Sequence, residues 1–270
     1  MISDADVRVL ADFLSQAVAW LGAGARAASS AITGAAEEHT AEGVRAPEPG
    51  LVNCFYRLAN PTTPAMDWEA VAINADFWAQ VLQARSLKPL DFALGAAMVT
   101  RRQCLREIGG FEALVDCLAD DYQLGHRIAK RGHTIELCPV VVECWSAPMG
   151  WGAVWRHQLR WARTIRVCQP LPYFFSLLNN GTLWPLLWLA TVPSRTALGC
   201  ALACWALRIA SVLDLQRRLT GAPWKLSRLW LVPIKDLLQT MIWALAFLGN
   251  RVEWRGEKLR LRKDGTLVRE

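Results

Sequence analysis

The first 170 residues alternate between short apolar runs and segments with helical periodicity. Residues 51–58, 90–100 and 133–145 are short and rich in apolar or β-branched side chains, as buried strands are. Residues 120–131 and 151–167 instead repeat apolar positions every three to four residues, which is the spacing of an amphipathic helix. This alternation of strands and helices predicts an α/β domain.

Glycines mark the ends of two predicted helices. Residues 101–108 predict a short helix that stops at Gly109 and Gly110. Gly132 ends the helix that begins near Asp120. Both helices are therefore expected to be brief and to lie within the α/β domain.

Long apolar runs follow residue 170. Residues 174–192, 196–213 and 229–248 contain few charges and approach the roughly 20 residues that cross a bilayer as a helix. Lys235 and Asp236 interrupt the third run, where they lie at the membrane interface or pair within a helix bundle. Basic residues both precede and follow this third run, which favours an interfacial or re-entrant segment.

These patterns predict three regions: an α/β domain at residues 1–170, membrane helices at residues 171–250 and a basic cytoplasmic tail at residues 251–270. Residues 22–50 are rich in Ala, Gly, Ser and Glu and predict a variable surface insertion in the first region. The chain is therefore interpreted as a multi-pass membrane protein with a cytoplasmic α/β domain.

Composition sharpens the membrane interpretation. The chain is 53% hydrophobic with a formal net charge of +6, and ten of its 14 tryptophans lie from Trp151 onward. Tryptophan and basic clusters beside apolar runs are typical of a membrane interface, so a nucleic-acid partner is not expected. The eight cysteines form no C-x-x-C pair, which predicts free thiols rather than disulfides or a zinc site.

The first candidate constellation is the D-x-D pair Asp4 and Asp6, which follows what looks like the end of a buried strand. Two carboxylates at this spacing can share a divalent cation that neutralises a diphosphate leaving group. The same pattern also occurs by chance on solvated turns, so the pair alone does not establish a metal site.

The second constellation is Asp120 and Asp121, at the predicted start of a helix. Adjacent carboxylates there commonly cap the helix and interact with its dipole. The alternative is that one of them is a general base that deprotonates an acceptor hydroxyl.

The third constellation lies in the helix of residues 151–167 and comprises His157, Gln158, Arg160 and Trp161. A basic helix beside a membrane most often contacts lipid headgroups. The sharper hypothesis is that Arg160 and its neighbours bind a diphosphate while Trp161 lines the acceptor site.

Order and spacing make the three constellations more informative together than alone. Taken with the apolar runs that follow, they resemble the ceramide glucosyltransferase family, within the family-2-like lipid glycosyltransferases that include hopanoid-associated enzymes. The resemblance covers nearly the whole chain outside the insertion. The matching stretches are SDADVRV, GLVNCFYR, LGAAMVTRRQCLREIGGF, LADDYQLGHRIAKRGHTI, HQLRWARTIR and VEWRGEKLRLRKDGT.

The resemblance implies a partial GT-A-type nucleotide-sugar transferase domain followed by transmembrane or interfacial helices. It implies that Asp4 and Asp6 hold Mg²⁺ or Mn²⁺ with the donor diphosphate, and that Asp121 is the base. Arg160 and Trp161 would belong to the diphosphate and acceptor site. The neighbouring residues assigned to that site are Asp120, His157 and Gln158. Such enzymes invert the anomeric centre in a single displacement.

The sequence departs from the family pattern in two places. His157 occupies the first position of the R/Q-x-x-R-W motif, and Gln158 follows one place late. Family members also carry an N-terminal membrane helix and the first strands of the nucleotide-binding half before the D-x-D strand. The chain is therefore expected to lack the N-terminal part of the family fold.

The substrate remains open between several classes. The resemblance implies UDP-glucose or UDP-N-acetylglucosamine as donor and ceramide or a hopanoid polyol as the lipid acceptor. The Ala- and Arg-rich composition indicates a bacterial source, so an inner-membrane location and the hopanoid option are favoured. The alternatives are an inactive or truncated remnant without donor binding and a processive polysaccharide synthase.

Overall fold

The structure is a computed structural model that describes residues 1–22, 49–221, 228–254, 257–262 and 265–269. Most of the predicted insertion, residues 23–48, lies outside the described residues. The chain forms two compact units. The first unit contains Met1–Arg57 and Val81–Trp145, and the second contains Leu58–Gln80 and Ser146–Glu270.

The first unit is built on a five-stranded sheet. Its strands lie in the order β1-β4-β3-β5-β2, with antiparallel pairing of β1 with β4, of β3 with β4 and of β2 with β5. The central strand β3 is buried along nearly its whole length, which fits the predominance of apolar residues in its sequence. The strands are β1 (Ile2–Ser3), β2 (Val7–Arg8), β3 (Pro49–Leu58), β4 (Ala97–Thr100) and β5 (Thr134–Cys144).

Helices accompany this sheet, and the prediction of an α/β domain is confirmed. Gly109 and Gly110 follow α4 with φ of 93° and 75°, and Gly132 follows α5 with φ of 89°. These left-handed conformations suit glycine, so the predicted helix ends are confirmed. The helices are α1 (Phe13–Gly22), α3 (Trp78–Leu87), which begins in the second unit, α4 (Arg102–Glu107) and α5 (Asp120–Lys130).

The second unit is mainly helical. Helix α2 continues directly into a π-helix, Ala72–Phe77, and a small antiparallel sheet of β6, β7 and β8 lies near the chain's end. The predicted basic tail thus contains strands that its sequence did not indicate. The elements are α2 (Pro64–Val71), α6 (Trp151–Cys168), α7 (Pro170–Phe175), α8 (Leu183–Thr191), α9 (Arg195–Thr220), α10 (Leu231–Phe247), β6 (Arg251–Trp254), β7 (Glu257–Leu261) and β8 (Leu267–Arg269).

The expectation of one helix over residues 174–192 is wrong. The chain breaks between α7 and α8, where the side-chain oxygen of Asn180 accepts the backbone N–H groups of Thr182 (3.1 Å) and Leu183 (2.8 Å). An asparagine that satisfies these N–H groups favours a new helix start over continuation.

Helix α9 is longer than the predicted 196–213 and is the one helix, among the described residues, that is long and apolar enough to cross a membrane. Its 26 residues extend about 39 Å at 1.5 Å per residue. Ser194 caps its first turn, and Gly221 ends it in the left-handed conformation. Helix α10 has 17 residues, about 25 Å, which is shorter than the hydrocarbon core of a bilayer.

The adjacent charges of α10 pair within the helical bundle. Lys235 and Asp236 are 3% and 4% exposed. Asp236 forms an ion pair with Arg208 of α9 (2.7 Å), while Lys235 and Arg208 both contact Asp76 of the π-helix. Of the two arrangements that the sequence allowed, the structure shows the paired one.

The division of the chain at residue 170 remains a prediction. In the structure, α6 belongs to the same compact unit as α7 to α10. All eight cysteines lie within the described residues and carry free thiols.

Candidate active site

The D-x-D pair lies in a tight turn between β1 and β2 in the first unit. The backbone N–H of Asp4 donates to Ala96 O (3.2 Å), and Asp6 O accepts from the backbone N–H of Trp145 (2.9 Å). Each end of the turn is thereby fixed to a different strand region of the sheet. Both aspartates are exposed, and the preceding β1 is also only partly covered, so the expectation that it is a buried strand is wrong.

Carboxylates from two distant parts of the chain act on one another around this turn. Partial desolvation, together with the nearby charges of Asp6 and Asp120, raises the pKa of Asp4 to about 6. The structure therefore brings the first two predicted constellations into electrostatic contact, although more than 110 residues separate them in sequence. Repelling carboxylates of this kind favour a bound cation.

Asp121 lies in the first turn of α5, partly accessible to solvent. Its carboxylate accepts hydrogen bonds from the backbone N–H of Tyr122 (2.7 Å) and of Gly95. Burial raises the pKa of Asp121 to about 7, and the charges of Asp120 and Asp4 contribute in the same direction and outweigh those two donors. A carboxylate that is half protonated near neutral pH is suited to general base catalysis.

The segment before β4 fixes the position of Asp121. Buried Asn53 on β3 accepts the backbone N–H of Leu94 with its side-chain oxygen (3.0 Å). A Cβ on Gly95 would lie 2.9 Å from Asp121 Oδ2, so a side chain there would crowd the carboxylate. Gly125 of α5 similarly has no room for a Cβ against the backbone of Phe92 and Ala93. Gly95 and Gly125 thus allow α5 to pack closely against the segment that precedes β4.

An aromatic stack lies beside this carboxylate. The ring of Tyr122 stacks between Phe92 (centroids 6.2 Å apart) and His126 (5.5 Å), with both interplanar angles at 18°. All three rings are partly exposed. The candidate base Asp121 is therefore followed directly in the chain by a member of an aromatic stack.

The third constellation lies on α6 in the second unit. Nδ1 of His157 lies 2.5 Å from Oε1 of Glu69, and Nε2 of Gln158 donates to the same oxygen at 3.2 Å. Gln158 is only 6% exposed. His157 and Gln158 thus contact a buried carboxylate of α2 that the sequence analysis did not identify.

Arg160 and Trp161 follow on the same helix. Burial lowers the pKa of Arg160, and the charge of Glu69 partly opposes this. The ring of Trp161 packs against the edge of His157 (5.0 Å between centroids) and against Phe77 (5.9 Å). A half-buried guanidinium beside an indole ring is suited to binding a phosphate group.

Sequence reasoning missed Gly95, Gly125 and Glu69. Gly95 was noted only as a break in an apolar run, and the signal that could have found Glu69 is an acidic residue in the apolar stretch W-E-A-V-A-I. The partners of Glu69 are 88 and 89 residues away, so no local pattern reveals them.

The carboxylates near the D-x-D turn fit a divalent cation held partly by substrate. Among the described residues, the one group of three potential ligand atoms within 4.8 Å of one another is Cys104, Glu107 and His133. There, His133 and Glu107 already hydrogen-bond each other (2.8 Å) beside a buried thiol, so the polar partners are satisfied without an ion. Asp4 and Asp6 instead provide the one or two carboxylates with which Mg²⁺ commonly binds substrate phosphates.

Comparison with known proteins identifies the family. Residues 38–267 match the family model described as Glycosyl transferase family 21. The matched range contains Asp120, Asp121 and the α6 motif, and it begins after Asp4 and Asp6. A search of curated proteins found no match. The α/β architecture fits a glycosyltransferase domain, and the chain belongs to glycosyl transferase family 21.

Proposed function

We propose that this protein transfers a single sugar from a UDP-sugar to a hydroxyl group of a lipid, with inversion at the anomeric carbon. Family membership supports sugar transfer in general. The GT-A-type organisation, the UDP donor, the lipid acceptor and the stereochemistry are parts of the proposal. Ceramide and a hopanoid polyol are the two acceptors considered.

The observation that carries the proposal is the environment of Asp121. The residue is partly accessible to solvent, its carboxylate accepts the backbone N–H of Gly95, and the charges of Asp120 and Asp4 act on it. In the proposed reaction, an acceptor hydroxyl transfers its proton to Asp121 as its oxygen bonds to the anomeric carbon. The bond from that carbon to the β-phosphate oxygen breaks, and UDP leaves. One base is sufficient, because inversion needs no covalent sugar intermediate.

We assign Asp4 and Asp6 to a divalent cation, Mg²⁺ or Mn²⁺, that binds the donor diphosphate. The cation supplies positive charge to the leaving diphosphate. The uncompensated charge around Asp4, with Asp120 contributing, supports this assignment. Asp120 is exposed, and we assign it to the electrostatic environment of the donor.

We assign Arg160 to the diphosphate and Trp161 to the acceptor site. Arg160 is partly buried, and its desolvated charge would gain from an anionic ligand. Gln158 and His157 support this motif through Glu69.

A lipid acceptor is supported by the surface of α7 to α10. Large apolar side chains are exposed on all four helices, and only 17% of the apolar window in α9 is buried. A core helix of a soluble protein would be mostly buried, whereas exposed apolar surface on this scale marks contact with a membrane or a partner. We therefore propose a membrane location, with the α/β domain on the cytoplasmic side.

The test is a transfer assay on membranes that contain the full chain. UDP-glucose or UDP-N-acetylglucosamine is supplied with defined ceramide or with a bacterial lipid extract, and the lipids are analysed by mass spectrometry. One new hexose or N-acetylhexosamine per lipid, absent with Asp121→Asn and present with Asp116→Asn, supports the proposal. Asp116 is a matched control because it is an exposed aspartate near α5.

Two other outcomes correspond to the alternatives. A water-soluble polymer would indicate a processive synthase. An absence of product together with an absence of UDP binding would indicate an inactive remnant, and would contradict the proposal.

A further inference from the structure

Glu69 is a carboxylate in an unusual position for a group of its charge. It lies on α2, is 1% exposed and accepts from His157 and Gln158 through a single oxygen, Oε1. Its other oxygen, Oε2, is buried and has no hydrogen-bond partner among the described residues. Burying a carboxylate is costly unless it is paired, so the placement of Glu69 against two residues of the α6 motif calls for a role.

The contact with His157 determines how that imidazole is oriented. A carboxylate can only accept hydrogen bonds, so Nδ1 of His157 carries the proton that points at Oε1. A hydrogen bond in this direction fixes both the tautomer and the plane of the ring. The second donor, Gln158, is the next residue along α6 and anchors the same helical turn.

The ring of His157 in turn packs against the ring of Trp161. The two residues are one helical turn apart, and their rings meet edge to face at 66° with centroids 5.0 Å apart. Phe77 contacts Trp161 at 5.9 Å with an interplanar angle of 52°. The indole therefore lies between a ring oriented by Glu69 and a ring of the π-helix.

The charge of Glu69 also acts on Arg160. Glu69 is the group whose charge favours the protonated guanidinium of Arg160, which burial disfavours. Glu69 thus acts on His157 and Gln158 through hydrogen bonds and on Arg160 through its charge.

We propose that Glu69 is a positioning residue that orients Trp161 through His157. The inference rests on the proposed function insofar as Arg160 and Trp161 bind substrate. In this role the histidine at the first motif position is functional, because it transmits the orientation set by Glu69. Glu69 itself is too deeply buried to touch substrate.

The first test follows the indole directly. The full chain in detergent or nanodiscs is labelled with 5-fluorotryptophan, and the ¹⁹F resonance of Trp161 is assigned by its loss in Trp161→Phe. We expect Glu69→Gln to shift or broaden this resonance. The matched control is Asp236→Asn, a second buried acid of the same unit whose partners are Arg208 and Thr182, and it should leave the resonance unchanged.

A second variant keeps the test decisive if Glu69→Gln does not fold. His157→Phe keeps a ring beside Trp161 but removes the hydrogen bond to Glu69, and position 157 is only partly buried. We expect the same displacement of the Trp161 resonance. An unchanged resonance in His157→Phe, or in folded Glu69→Gln, would show that packing alone orients the indole and would overturn the proposal.

Activity provides the complementary measurement. Loss of a charged, buried hydrogen-bond partner should lower the transfer rate roughly tenfold to hundredfold. If Glu69 acts through His157, Glu69→Gln should have little further effect in a His157→Ala background, whereas full additivity contradicts that route. If the unmodified chain transfers no sugar, the proposed function fails, yet the resonance of Trp161 still tests the positioning role.

Discussion

Two aspartate-rich regions of this protein have opposite electrostatic arrangements. In the first unit, carboxylates act on one another: the charge of Asp120 raises the pKa of both Asp4 and Asp121, and the charge of Asp6 raises that of Asp4. In the second unit, the carboxylates of the buried cluster face cations. The members of that cluster are Asp76, Arg208, Lys235 and Asp236.

The comparison separates the buried cluster of the second unit, which stabilises the fold, from the acidic cluster of the first unit, to which we assign chemistry. Two carboxylates and two cations cancel in the buried cluster, and they join α9 and α10 to the π-helix. In the proposed function, the acidic cluster receives a cation at Asp4 and Asp6 and a proton at Asp121. Perturbed and uncompensated groups of this kind concentrate at functional sites.

The largest expected effect comes from removing the proposed base. Asp121→Asn should lower sugar transfer by roughly 10²- to 10⁴-fold, because general base catalysis contributes about that much. The fold should persist, since the amide keeps the shape of the carboxylate. Initial rates and circular dichroism measure the two properties. Near-normal turnover in this variant would exclude Asp121 as the base.

Removing a cation from the buried cluster should instead affect stability. Arg208→Met leaves the carboxylate of Asp236 buried without its ion-pair partner, which should lower the free energy of unfolding by about 3–5 kcal/mol. Chemical denaturation in detergent measures this change. Arg218→Met is the matched control on α9, because its ion pair with Asp214 is exposed, and it should unfold like the unmodified chain. Equal stability of both variants would remove the contrast between the clusters.

Adding a divalent cation should stabilise the acidic cluster. Mn²⁺ or Mg²⁺ at 100 times its dissociation constant should raise the free energy of unfolding by about 2.7 kcal/mol, and EDTA should stop transfer. Asp4→Asn should abolish the stabilisation, whereas Asp12→Asn, an exposed aspartate outside the D-x-D turn, should retain it. Full transfer activity in chelator contradicts a metal role for Asp4 and Asp6.

A pH dependence of stability is also expected in the absence of metal. Asp121 has a pKa of about 7 in the folded chain and an ordinary value of 3.8. Between these values the folded state binds more protons than the unfolded state, so the free energy of unfolding falls as pH rises from about 4 to 7. Below pH 3.8 the contribution is fully present, and above pH 7 it is lost. Denaturation at several pH values should show a flatter slope for Asp121→Asn.

Transfer should show the opposite pH trend. A base acts in its charged form, so the rate should rise as pH increases through 7. A rate that is independent of pH between 5 and 8, measured with limiting substrate, contradicts the assignment.

Local patterns in the sequence predicted much of the first unit. Strand β3 and helix α5 were predicted because each has a clear periodicity, and Gly109, Gly110 and Gly132 supplied the helix ends. The strand expected at residues 90–100 is confined to Ala97–Thr100. Before Ala97, Leu90 forms an isolated antiparallel bridge with Ile135, and the side chain of Asn53 accepts the backbone N–H of Leu94.

Hydropathy was less reliable in the second unit. It located the apolar segments, and Asn179, Asn180, Gly181 and Pro185 weakened the first half of residues 174–192. The chain break itself depends on the side chain of Asn180, which also donates to Asp236 O and to Thr240. Hydropathy also left the arrangement of Lys235 and Asp236 open. Their partners lie on other helices, and Arg208 reaches Asp76 over 132 residues of sequence.

The sequence alone determined the α/β and apolar segments, the family resemblance and the identities of the candidate acids and bases, because these depend on periodicity and motif order. Only the tertiary structure decided which of those groups share an environment. The charge of Asp120 acts on Asp4, and the backbone N–H of Gly95 donates to Asp121. Glu69 hydrogen-bonds His157, and the partners in each pair come from distant segments. Desolvation and charge repulsion arise from such contacts, so the pKa of Asp121 and the orientation of Trp161 are properties of the folded chain.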